Sequence, residues 1–145
     1  MSMSADEVAA VKATSDAVSA NVGKHAQDFF IFFLKKFPAQ QNKFPNYKGK
    51  AVDSLTSVPQ FASHTKAVVA DVILTIGIAH DSGALAAKGK QLVADHVPRG
   101  VGPADYADLF AALLPFLEQT LGGAYNATAK SGWEKASKLV MAGLK

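Results

Sequence analysis

Apolar residues recur along most of this chain at three- and four-residue spacing, the period of helices that bury one face. Ser4 followed by Glu7 forms a capping-box pattern and opens a helix carrying Val8, Val11 and Val18 on one side. A second helix is predicted from about Val22 to Lys36. Its unbroken run Phe29-Phe30-Ile31-Phe32-Phe33-Leu34 wraps more than one turn and predicts burial on several sides. Pro38 suits the first turn of a short helix, and Phe44-Pro45-Asn46-Tyr47-Lys48-Gly49 reads as a turn-rich loop. Pro59 opens a long helix to about Ala79, with Phe61, His64, Val68 and Val72 on one face. After the polar break at His80–Gly83, a helix to about Val97 turns Leu85, Leu92 and His96 to one side. Another, from about Ala104 to Leu121, presents Tyr106, Leu109, Phe110, Leu113 and Leu117, with Pro115 inside it to kink it or remove one hydrogen bond. Asn126 is placed to cap a last helix whose inward residues are Trp133, Ala136, Val140 and Leu144. Strand-like alternation is nearly absent. The pattern predicts an all-α domain of six to eight helices packed around one core.

Composition narrows the chemistry. The 145 residues, 49% hydrophobic, suit a single domain spanning 1–145. Without cysteine there is no disulfide framework and no thiolate metal site. The net charge is +3, and the lysines are dispersed, as on solvated helix faces; no nucleic-acid partner is expected. No stretch of about 20 apolar residues is free of charge, so no membrane partner is expected either. The polar first residues lack an apolar signal core. With Met1 they point to a cytoplasmic protein or a recombinant start, while a mature extracellular form stays open.

Four histidines are present: His25, His64, His80 and His96. His80 falls in a polar break and is expected to be exposed; His25 begins a helix with no obvious partner. His64 and His96 each lie on an apolar helical face. Taken singly, either fits a satisfied core histidine. As a pair they bring two imidazoles into an interior rich in phenylalanine. Zinc wants three or four protein ligands, which this chain does not assemble at recognisable spacing. Haem needs only one or two axial nitrogens and a flat apolar slot. No nucleophile elbow, Walker loop or dinucleotide fingerprint occurs.

Three segments resemble the globin family. Phe37-Pro38 through Phe44 is similar to the globin helix corner and the phenylalanine that stacks on the haem. Phe61-Ala-Ser-His64-Thr-Lys-Ala-Val68 is similar to the distal helix. Leu92-Val-Ala-Asp-His96-Val-Pro-Arg-Gly-Val101 is similar to the proximal helix and its exit, particularly in insect and mollusc globins. Trp133 also matches many invertebrate globins, whereas the tryptophan many globins carry in the first helix is missing, with Ser15 nearby.

The resemblance implies a globin fold around haem b (iron protoporphyrin IX), with His96 as proximal iron ligand and Leu92 packed beneath the porphyrin. It implies that His64 is the distal residue, bonding dioxygen through Nε2–H, while Val68 presses on the ligand site. Phe44 would stack on the haem and Phe30 would face the distal pocket. Val101 and Phe110 would line the proximal and inner wall, and Arg99 or Lys66 would pair with a propionate. The implied partners are dioxygen and other small gaseous ligands, bound by a monomer or homodimer. The implied function is oxygen transport or storage, not enzymatic turnover. Two other readings stand beside it. One is a globin-type peroxidase or nitric-oxide dioxygenase, for which His64 would serve as base although no arginine lies near it in sequence. The other is a cofactor-free helical interaction module.

Overall fold

The computed structural model describes residues 2–96 and 102–143. Among the described residues six α-helices carry the fold: α1 (Ala5–Ser19), α2 (Val22–Lys36), α3 (Phe61–Gly77), α4 (Ser82–His96), α5 (Pro103–Leu121) and α6 (Ala127–Gly143). Short 3₁₀ segments occupy Pro38–Lys43, Val52–Ser57 and Gly122–Ala124, and no strand occurs among the described residues. The helices fall where the apolar stripes place them. Val97 and Leu144, expected in α4 and on the inner face of α6, lie outside the described residues. The segment Val52–Ser57 was not anticipated: only Leu55 in it is buried, so it has no stripe to read.

Local chemistry sets the ends. Ser4 Oγ accepts from the Glu7 amide at 3.1 Å, and Glu7 Oε1 accepts from the Ser4 amide at 2.8 Å, completing the capping box of α1. Asn126 Oδ1 accepts from the Ala129 amide at 2.9 Å at the start of α6. Helix α5 runs through Pro115 and stops at Gly122, whose φ of 55° lies where a side chain would be strained.

In the run Phe29–Leu34, Phe29, Phe30, Phe33 and Leu34 are buried, and Ile31 and Phe32 are half-buried. Helix α2 packs chiefly on α3, and α1 on α6. The α1–α6 crossing is close because Gly132 has no side chain: a Cβ there would sit 2.9 Å from the Glu7 carbonyl oxygen and 2.8 Å from Val11 Cγ2. Likewise α4 approaches α6 at Gly89, where a Cβ would lie 2.6 Å from the Gly143 carbonyl oxygen. The buried Trp133 of α6 donates from Nε1 to Thr14 Oγ1 of α1 at 2.7 Å. That bond spans the α1–α6 interface beside Ser15.

Glu7 ties the same two helices together. It is 6% exposed, and its carboxylate accepts from Ser131 Oγ and from Lys135 Nζ. The Ser131 hydroxyl, then the Ser4 amide and Lys135, hold the carboxyl at about 2 against an ordinary value of 4.5, with burial pulling the other way. A depressed carboxylate stabilises the fold above its unfolded value, and the contribution fades as pH falls through the native one. Glu7→Gln should therefore melt below wild type at neutral pH, and the gap should close between about 4.5 and about 2. Circular-dichroism melts across that window check it; a gap that stays constant would contradict the assignment.

Candidate functional site

A cavity of about 500 Å³ opens between α2, α3, α4, α5 and the segment after α2. Phe30 and Phe33 line it from α2, His64 and Val68 from α3, and His96 from α4. Tyr106 and Leu109 line it from the inner face of α5. Phe44 and Tyr47 come from the turn-rich loop, and Gln40, Lys43 and Asp105 stand along one side. Its size falls within the roughly 300–1,000 Å³ of small-molecule and cofactor pockets. Two imidazoles from separate helices thus meet one cavity walled mainly by aromatic and aliphatic side chains.

His96 is half-buried at the last described turn of α4. Its Nδ1 lies 2.8 Å from the Leu92 carbonyl oxygen. A carbonyl can only accept, so Nδ1 carries a proton, and the tautomer this selects has its lone pair on Nε2. The Tyr106 ring meets the His96 ring edge-on at 5.8 Å. The Tyr106 hydroxyl is buried with no hydrogen-bond partner among the described residues. Burial, then Asp105, Asp71 and Asp95, push this phenol above its ordinary value, so it stays protonated.

His64 sits in an aromatic nest. Its ring centroid is 5.8 Å from Phe30, 5.7 Å from Phe44 and 5.6 Å from Tyr47. The Tyr47 hydroxyl lies 2.8 Å from His64 Nδ1. Burial raises the Tyr47 phenol, which is therefore neutral.

A polar latch holds the loop side to α5. Gln40, buried, donates from Nε2 to Asp105 Oδ1 at 2.8 Å and to Asp108 Oδ2 at 2.9 Å. Lys43 Nζ pairs with Asp105 Oδ2 at 3.0 Å, and the Gly102 amide donates to the same oxygen at 2.8 Å. Burial works to raise the Asp105 carboxyl, but the bonds from Gly102, Gln40 and Lys43 outweigh it and leave the group below its ordinary value.

Of the residues expected at a site, Phe30, Phe44, His64, Val68 and His96 are brought together at this cavity. Leu92 and Phe110 are buried in the core and do not appear in its lining. Lys66 is exposed and away from the lining; Arg99 and Val101 lie outside the described residues. His80 is exposed, as expected. His25 differs from expectation: its Nδ1 bonds the Val18 carbonyl oxygen at 3.1 Å across the α1–α2 turn. Tyr47, Gln40, Lys43 and Asp105 were missed as site residues. Their partners lie 17 to 68 residues away in sequence.

The Globin family model matches residues 27–144. The chain is 29% identical over 135 residues to a globin of Nerita albicilla, covering 93% of this chain and 86% of that protein. It is 33% identical to Globin CTT-VIII of Chironomus thummi thummi, covering 92% of this chain and 87% of the relative. Ferric Aplysia limacina myoglobin with azide superposes with a TM-score of 0.88 at 26% identity, covering 99% of this chain and 97% of that one. Matched along most of its length by family, relatives and fold alike, this chain belongs to the globin family.

Proposed function

We propose that the cavity holds haem b with His96 as axial ligand, and that the protein reversibly binds dioxygen for transport or storage. The observation that carries this reading is the pair of imidazoles on one aromatic cavity, with the His96 Nε2 lone pair left available. The Tyr106 hydroxyl supports it: it has no partner among the described residues, and a buried donor costs about 1–3 kcal/mol unless a further group or water meets it. When bound, haem supplies a ferrous iron at which a diatomic gas attaches and leaves.

The chain's own residues do the rest. The Leu92 carbonyl fixes the tautomer and plane of His96 and makes its ring a better donor of electron density. His64 lines the same cavity and would donate from Nε2–H to dioxygen held there. Phe30 and Phe44 exclude water, and Val68 limits the room beside the ligand. Leu92 and Phe110 support these walls from the core. Lys43, beside Phe44, lines the cavity and would be placed to meet a propionate while sharing Asp105.

Repeated oxygenation tests the function. The reduced protein in air should give a stable two-banded visible spectrum that reverts under nitrogen over many cycles. Oxidation within seconds of exposure to air would contradict storage or transport.

A further inference from the structure

We propose that Tyr47 is a positioning residue: its hydroxyl donates to His64 Nδ1 and so keeps the ring proton on Nε2. The inference rests on the haem and dioxygen reading above.

The direction of this bond decides what His64 can do. A neutral imidazole carries one proton. If it sits on Nδ1 and points at Tyr47, then Nε2 is only an acceptor and repels the electron-rich end of dioxygen. If Tyr47 donates, Nε2 carries the proton and can attract it. The 2.8 Å contact fits either arrangement, but the surroundings of the hydroxyl do not. Tyr47 is 1% exposed, and its ring packs on Phe61 at 5.3 Å and on Phe44 at 5.8 Å. Among the described residues, His64 Nδ1 is the only hydrogen-bond partner of its hydroxyl. Were Nδ1 the donor, the phenolic proton would be buried without an acceptor, a penalty the other arrangement avoids. A phenol is also the stronger donor and the pyridine-type nitrogen the stronger acceptor.

The loop is built to hold Tyr47 in place. Gln41 Nε2 donates to the Tyr47 and Lys50 carbonyl oxygens, both at 2.6 Å, and the Tyr47 amide donates to the Phe44 oxygen at 2.9 Å. The backbone of the turn is thus pinned at the residue whose side chain reaches α3. The same turn carries Phe44, so one loop sets both the wall beside His64 and the proton on it.

Nitrogen-15 spectroscopy of histidine-labelled, reduced, carbon monoxide-saturated protein reads the proton directly. In wild type, His64 Nδ1 should resonate as an acceptor nitrogen and Nε2 as a protonated one. Tyr47→Phe keeps the ring and its packing; both shifts should move towards an average, and oxygen release should quicken about three- to tenfold, the span of one net hydrogen bond. In a His64→Ala background the same change should leave oxygen release unaltered, as it would not if Tyr47 merely stiffened the loop. A protonated Nδ1 in wild type, or shifts and release unchanged in Tyr47→Phe, would overturn the proposal. A chain isolated without haem, or one that binds haem but no oxygen, would instead overturn the function proposed above. The same nitrogen measurement on the protein as isolated would still locate the His64 proton.

Discussion

His96→Ala should leave a helical, folded chain that holds haem far more weakly. The substitution falls in the last described turn of α4, on a half-buried side chain. Alanine favours the helix there, so the fold should survive. What disappears is the proposed metal bond together with the imidazole that filled the space against Tyr106. Structural metal sites with about four ligands are worth roughly 10–16 kcal/mol, so one ligand is worth about 3–4 kcal/mol, or on the order of 100- to 1,000-fold in affinity. The remaining apolar walls still attract a porphyrin, so weak uptake should persist while transfer to an acceptor apoprotein becomes much faster. Free imidazole should restore part of the affinity by entering the cleared space. Haem transfer at the wild-type rate would refute His96 as the ligand.

His64→Ala is expected to have the second largest effect, and on a different quantity. Haem should stay, because the proximal side is untouched, but dioxygen should leave faster. A hydrogen bond to a charged partner is worth about 1.5–3 kcal/mol, which corresponds to roughly a 10- to 150-fold rise in the release rate. Removing the imidazole also opens the ring of contacts with Phe30, Phe44 and Tyr47, so water should enter and oxidation in air should speed up. Carbon monoxide carries little charge and should be affected far less. Stopped-flow release of both gases from the variant separates loss of the hydrogen bond from simple enlargement of the pocket. Equal changes for the two gases would mean that His64 acts by size alone.

Both histidines were legible in the chain because each lies on a helix whose apolar stripe fixes which side faces inward. The α-helices were legible for the same reason, and their caps because Ser4, Glu7 and Asn126 act on neighbours three residues away. Contacts made by residues without a period were not. Tyr47 reaches His64 across 17 residues, and Gln40 reaches Asp105 and Asp108 across 65 and 68. Nothing local distinguishes these residues from solvated loop positions. Helix α5 shows a finer limit. Tyr106, Leu109 and Phe110 share its inward side, yet the first two line the cavity and Phe110 packs into the core. An apolar stripe says that a residue points inward, not whether it meets a cofactor or another helix. The indole of Trp133 and the hydroxyl of Thr14 make the same point at long range: their bond links residues 119 apart.

The central claim is that the Nε2 of His96 bonds haem iron within this cavity. Resonance Raman scattering from the reduced, gas-free protein reads that bond as an iron–imidazole stretch. The band should be present in wild type, shift when the imidazole nitrogens are replaced by ¹⁵N, and vanish in His96→Ala. A band of undiminished strength in the variant, or none in wild type, would contradict it.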